Sequence, residues 1–414
     1  MSSQCVMLEN AKRIEPRLIE IRRAIHMNPE LGGMEFKTSR LVAQVLQEFG
    51  MKVTENVAGT GIVGLLRGAG DVTGAAGAGE KTVAIRADMD ALPIQDKKDV
   101  PYRSRIPGVM HACGHDGHVA MVLGAAMLLA DLKNQNKLPG NVKFIFQPAE
   151  EGPGGAKPMI EAGVLKNPRV DMILGIHIWP EIPAGRVAIK SGAALASTDE
   201  IRIRIKGEGG HGAAPHRAVD AIVVAAQVIS ALQTIVSREV SPMSPVVLTI
   251  GTIHGGYRHN VIADEVAMTG TLRTLNPAVR MELPGRIDRL LRGIAGGMRA
   301  SAEFTHIPGY PPTVNDGRIA ELASRSAARV VGDTNVIREI EPSLGGEDFS
   351  YFLELVPGVF IMLGAGNPEA GITFPSHHPR FDFDERALAI GAAILAQATF
   401  DYLSLPESGG DFLP

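Results

Sequence analysis

A chain of 414 residues has room for two or three domains at roughly 150 residues each, and for a sizeable core without covalent staples. With 45% hydrophobic and 21% charged residues the balance is that of a folded globular protein rather than a disordered one. The net charge of −4 offers no electrostatic reason to expect nucleic acid or an anionic membrane as partner, and the two cysteines, Cys5 and Cys113, exclude a disulfide-rich scaffold.

The first residues, MSSQCVMLENAKRIEP, have no apolar centre and carry Glu9 and Glu15. No secretory signal is read there, and a cytoplasmic protein is expected. A helical pattern covers Arg40 to Phe49. The stretch Gly68 to Gly79 is the one low-complexity segment. Gly74 and Gly79 have the spacing of a phosphate-binding loop, but Glu80 stands where lysine is required and a strand follows where a helix is required. A hairpin tip without chemistry is the expectation.

Short apolar runs at Thr82 to Ile85, Val142 to Phe146, Met172 to Ile176 and Val359 to Leu363 have the length and bounding residues of buried parallel strands. Helical patterns separate them, among them Val119 to Leu132, so an α/β domain with a mostly parallel sheet is predicted. Between about Ala188 and Ile307 the rhythm changes. Ile201, Ile203 and Ile205 alternate with Arg202, Arg204 and Lys206, as in a strand with one wet face. A helix near Ala218 to Ser237 follows, whose uncharged part from Ala221 is marginal as a membrane span and reads as a buried helix. Strands at Pro245 to Ile253 and Asp264 to Arg273, a helix near Met281 to Arg299 and a strand near Ala302 to His306 complete a β-α-β-β-α-β order. Residues 188–307 are therefore expected to form an inserted α+β domain within a larger domain of residues 1–187 and 308–414. The latter ends in an apolar-striped helix, Arg386 to Tyr402.

Reactive side chains concentrate just after the predicted strands, where open α/β sheets bind ligands. Asp88 and Asp90 follow the first, Glu150 and Glu151 the second, and His177 closes the third. The densest cluster is His111-Ala-Cys113-Gly-His115-Asp116-Gly-His118. Cys113 and His115 are two apart, so an extended segment points both to one side, whereas a helix splays them by about 200°. Thiolate with imidazole suits zinc and similar metals. Glu150 and Glu151, pointing in opposite directions on an extended chain, divide between binding a metal and meeting a water on it. Late in the chain His377 and His378 supply further imidazole, chemically indistinguishable at this level. His211 stands in a glycine-rich turn, Gly207 to His216.

Together these motifs resemble the dinuclear metallo-amidohydrolases that include hippurate hydrolase, bacterial N-acyl-amino-acid amidohydrolases and plant indole-acetyl-amino-acid hydrolases. The resemblance runs from Arg22-Arg-Ala-Ile-His26-Met-Asn-Pro29-Glu-Leu-Gly32 to His377-His-Pro379. It implies a zinc-peptidase-like α/β domain with an inserted ferredoxin-like lid and dimerisation domain. It further implies metal ligation by Cys113, His115, Glu151, His177 and His377, with Glu150 as general base and Asp88 in support. His211 would act in the partner subunit's active site of a homodimer, and Asn260 would touch substrate. Three positions depart from the pattern: Ala263 replaces a proline after Asn260-Val-Ile, Gly346 a serine before Glu347-Asp-Phe, and His378 an asparagine or serine.

The implied reaction is hydrolysis of a small N-acyl amino acid at its amide bond, with two divalent ions (zinc, manganese, cobalt or nickel) and Cys113 as a candidate bridging ligand. Arg258 and Arg273 are candidates to meet the substrate carboxylate, Arg273 being equally suited to a structural ion pair. A carboxypeptidase or dipeptidase would need the same metals. A silent binding protein would be expected to lose ligands or the base, and all are present here.

Overall fold

In the computed structural model of this protein, residues 6–68 and 80–406 are described. Cys5 and residues 69–79 of the glycine-rich stretch lie outside them. The chain forms two compact units, one of Met1–Gly192, Val314–Glu341 and Tyr351–Pro414, the other of Ala193–Thr313 and Pro342–Ser350.

The first unit is built on an eight-stranded sheet. Its order is Lys52–Val57, Gly61–Leu66, Asn141–Gln147, Thr82–Asp88, Met172–Pro183, Gly358–Gly366, Val187–Ala188 and Val336–Ile337. Four of the seven pairings are parallel, so the sheet is mixed with a parallel centre. The Thr82–Asp88 and Asn141–Gln147 strands are buried along their whole length, which is why each reads as an unbroken apolar run. Their two cations are satisfied internally. Arg86 donates to Gln147 Oε1 (2.9 Å) and Asp88 Oδ2 (2.6 Å), and the Lys143 ammonium donates to the carbonyls of Val164, Lys166 and Pro168.

Helices Val6–Met27, His115–Asn134 and Arg386–Leu403 contribute to one continuous core with the sheet. The His115–Asn134 helix is apolar on every side, as a helix enclosed by protein must be, and sixteen of its residues are buried. The antiparallel hairpin Lys52–Val57 with Gly61–Leu66 has no counterpart among the sequence-predicted strands.

The second unit carries a four-stranded antiparallel sheet in the order Val246–Gly255, Glu265–Thr274, Asp199–Lys206, Ser301–Ile307. With helices Ala221–Thr234 and Pro277–Gly297 this is the split βαβ arrangement, and the alternation of Ile201, Ile203 and Ile205 with wet residues is present. Asp220 and Asn276 cap the two helices by accepting orphan backbone N–H groups. The segment Ala221–Glu239 is long and apolar enough by composition to cross a membrane. It is not the fully buried helix expected. One stripe, Val224, Ala225, Val228 and Leu232, packs in the unit's core, while Ile222 and Val223 on the opposite side are exposed.

Candidate metal centre

The candidate centre lies at the carboxyl edge of the parallel strands in the first unit. The Thr82–Asp88 strand ends on Asp88 and leads to Asp90; the adjacent Asn141–Gln147 strand leads through Pro148 and Ala149 to Glu150 and Glu151; on the other side, Met172–Pro183 carries His177. That last strand runs well past Ile176, so His177 sits inside it rather than closing it.

Between Cys113 and His115 the chain is neither extended nor helical. Gly114 has φ of +93° and the helix begins at His115. Only glycine adopts this left-handed conformation without steric cost, and a Cβ here would stand 3.2 Å from Ile178. The turn brings the Cys113 and His115 donor atoms together by a route the extended reading did not contain. The adjacent glutamates are likewise not extended. They follow Ala149, itself at φ of +54°, and one donor atom from each lies with a His115 nitrogen in a single group. The two carboxylates converge instead of diverging.

Two triads of donor atoms share Cys113: Cys113 with His115 and His177, and Cys113 with Glu151 and His377, each mutually within 4.8 Å. The Cys113 sulfur lies 3.5 Å from His177 Nε2, and His377 Nε2 lies 3.1 Å from a Glu151 oxygen. Bond lengths of about 2.0–2.3 Å in tetrahedral geometry require donors roughly 3.3–3.7 Å apart, so these spacings are close to those of a metal's ligand shell.

The imidazoles are oriented for such a role. His115 Nδ1 faces the Asp90 carbonyl at 2.9 Å and His177 Nδ1 the Ile178 carbonyl at 2.7 Å, so the Nε2 edge of each ring is turned away from these carbonyls, that of His177 towards the Cys113 sulfur. His115 Nε2 is buried without a hydrogen-bond partner, a costly position for a polar atom that a bound cation would satisfy. Anchoring one ring nitrogen on a carbonyl is how metal-binding histidines are held.

The electrostatics show the same convergence. Hydrogen bonds to Cys113 and Glu151 push His377 up to about 10. Burial pushes the Glu151 carboxyl up, but the hydrogen bond from His377 and the charges of His115 and His377 leave it below its ordinary value. Asp88 Oδ2 lies 3.9 Å from His115 Nε2. Its Oδ1 lies 2.6 Å from His118 Nδ1, and His118 Nε2 accepts the Ile178 N–H at 2.9 Å. Burial drives His118 down to about 4, so it is a neutral bridge from Asp88 to the backbone beside His177. Burial raises the Asp88 carboxyl, yet His115, His118 and Arg86 hold it well below the usual carboxylate range.

The structure thus brings together Asp88, Cys113, His115, Glu150, Glu151, His177 and His377. Between the tandem histidines it distinguishes clearly: His377 is among the donors, whereas His378 stacks on Phe374 at 4.4 Å and its Nδ1 accepts the Arg380 N–H. His211, Arg258 and Asn260 belong to the second unit and group with one another there. His211 pairs in register with Val261, the Asn260 carbonyl accepts the Gly212 N–H, and that of Arg258 accepts the Val261 N–H. Arg273 donates to the Leu344 carbonyl at 2.9 Å, a structural bond to backbone rather than an ion pair. Sequence pattern assigns no role to His118 or Glu35. The spacing of His118, three residues after His115 on a helix, was the available signal; for Glu35, which accepts the Ala149 N–H at 2.9 Å, there was none.

The chain belongs to the peptidase family M20/M25/M40, which it matches over residues 84–401. It is 43% identical to Thermostable carboxypeptidase 2 of Saccharolobus solfataricus, over 92% of this chain and 94% of that one. It is 40% identical to N-acetylcysteine deacetylase of Bacillus subtilis, over 93% and 97%. The crystal structure of Bacillus subtilis YXEP, a dinuclear metal binding peptidase from the M20 family, superposes with a TM-score of 0.81 at 36% identity, covering 95% of this chain and 99% of that one. The protein is a metal-dependent hydrolase of amide bonds.

Proposed function

We propose that the protein cleaves the amide bond of N-acyl amino acids, releasing a carboxylic acid and a free amino acid. The observation that carries the reading is the pair of donor triads joined at Cys113, beside a glutamate that is in neither triad. Cys113, His115 and His177 would hold one divalent cation, and Cys113, Glu151 and His377 the other; zinc, manganese, cobalt and nickel all suit this mixed set. When bound, such ions polarise the scissile carbonyl and acidify water.

Glu150 is the general base of this reading. Its carboxylate takes the proton of the attacking water and returns it to the leaving nitrogen. His115 and His177 keep their Nε2 atoms aimed inward because their Nδ1 atoms are engaged by backbone carbonyls. Substrate contacts are assigned to His211, Asn260 and Arg258 on the second unit, with His211 donating to the developing oxyanion, and the working form is a homodimer. The names of the relatives support acyl-amino-acid substrates through the Bacillus subtilis deacetylase and a carboxypeptidase activity through the Saccharolobus solfataricus enzyme.

The test is a metal count with a substrate panel of N-acetyl, N-benzoyl and indole-acetyl amino acids and dipeptides, before and after chelation. About two ions per chain and chelator-sensitive release of the amino acid are expected. Glu150→Gln should keep metal and fold while losing roughly 10²–10⁴ in turnover. Turnover of peptides alone would favour the carboxypeptidase reading, and a fully active Glu150→Gln would remove the proposed base.

A further inference from the structure

The segment after the Thr82–Asp88 strand carries two buried acids two residues apart, and they serve opposite neighbours of that strand. Asp88 reaches, through His118, to the backbone of the Met172–Pro183 strand. Asp90, only 2% exposed, reaches the other way. Its Oδ1 accepts the Glu150 N–H at 2.9 Å and its Oδ2 the Glu151 N–H at 3.0 Å. Its own carbonyl receives His115 Nδ1 at 2.9 Å. The segment is itself anchored, since the Ala91 N–H donates to the Glu30 carbonyl and Leu92 exchanges both backbone bonds with Met110.

We infer that Asp90 is the positioning residue of the centre: one carboxylate sets the Glu150–Glu151 turn, and so fixes the base and one ligand relative to the His115 held by the same residue's carbonyl. This rests on the roles given above to Glu150, Glu151 and His115. The physical case is that a turn following a left-handed residue has no ladder of its own to hold it. Two consecutive N–H groups must be satisfied where they are buried, and a carboxylate accepting both gives charge-assisted bonds with a defined separation. Asp90 touches neither substrate nor, through its side chain, the cations; it acts through the backbone of Glu150 and Glu151 and on the ring of His115, whose Nδ1 lies 3.4 Å from Oδ1.

Asp90→Asn keeps one acceptor and turns an NH2 group towards the other N–H; Asp90→Ala removes both acceptors. Both leave the carbonyl that receives His115 Nδ1 at 2.9 Å, while the carboxylate oxygen 3.4 Å from that nitrogen is changed or lost. The expected result for Asn is a loss of 10–100-fold in affinity for Co²⁺, measured by competition with a chromogenic chelator, and a fall in kcat of roughly 10²-fold with KM little changed. In the metal-free protein, amide hydrogen exchange across Glu150 and Glu151 should accelerate in both variants. Wild-type Co²⁺ affinity and wild-type exchange in Asp90→Asn would overturn the inference, as would a lowered melting temperature with affinity and kcat intact. Should Asp90→Ala fail to fold, the Asn variant still decides. If the wild-type chain turns over no substrate in the panel, the functional reading fails while the Co²⁺ and exchange measurements continue to test Asp90.

Discussion

Arg22 offers a stability test whose size follows from the geometry. Its guanidinium is fully buried and donates to Asp116 at 2.8 Å, Asp382 at 2.8 Å and Glu385 at 3.1 Å. It also lies 4.3 Å over the Phe383 ring and 4.8 Å over that of Tyr102. Asp116 is equally buried, and after Arg22 is replaced its carboxylate keeps His26 Nδ1, at 2.7 Å. Breaking a buried pair by removing one partner costs about 3–5 kcal/mol, because the other charge stays behind without compensation. Arg22→Met, which preserves most of the apolar stem, should therefore cost about 3–5 kcal/mol. Adding Asp116→Asn should recover part of that loss, with a coupling of about 1–3 kcal/mol. Urea unfolding at neutral pH with excess chelator isolates the term, since metal linkage then contributes nothing. A loss below about 1 kcal/mol in Arg22→Met, or strict additivity in the double variant, would refute the reasoning.

Acid stability should depend on Asp96. Burial pushes its carboxyl up, but hydrogen bonds from His26 and from the N–H groups of Ser104 and Lys98 bring it down to about 2. Its contribution is therefore complete above the free value near ~4 and is lost as pH falls through about 2. Asp96→Asn should cost about 2 kcal/mol at pH 7, with the difference from wild type shrinking below pH 4; equal differences at both ends would contradict it. Gly155→Ala should perturb the loop after Glu151, because a Cβ there would stand 1.8 Å from the Pro148 carbonyl. Reduced Co²⁺ affinity is the expected reading in a chelator competition, and unchanged affinity would show that the loop absorbs the methyl elsewhere. Metal affinity itself should rise with pH across the range below about 10, where His377 carries its proton in the metal-free site, since a ligand must release that proton to bind; an isothermal titration without proton release would disprove it.

The strand-end acids and histidines were legible because their placement follows from pattern alone. A buried parallel strand is a short apolar run, and whatever follows it lies at the carboxyl edge. What the pattern missed is turn geometry. Gly114, Ala149 and His377 all have positive φ, and each redirects a donor: Gly114 turns His115 back toward Cys113, Ala149 precedes the glutamate pair, and His377 is pinned by its N–H to the Ala112 carbonyl at 2.7 Å. A left-handed glycine can be suspected in a sequence, but left-handed alanine and histidine are imposed by tertiary contacts. For the same reason the partners of Arg22, drawn from residues 116, 382 and 385, had no local signature. The Lys52–Val57 strand carries no such signature, being largely wet and mixed in composition, without the alternation that marks one buried face.

The two triads differ in how much of the chain they need. Cys113, His115 and His177 all precede the second unit, whereas the other triad waits for His377, which is made after it. The Met172–Pro183 strand likewise acquires its Gly358–Gly366 neighbour only from beyond the insertion. During synthesis from the N-terminus, a nascent chain could therefore assemble one candidate donor triad while the sheet is still open on one side, and the second only after His377 has been made. Metal occupancy of the completed pair thus reports on whether the two separated stretches of the first unit have found each other.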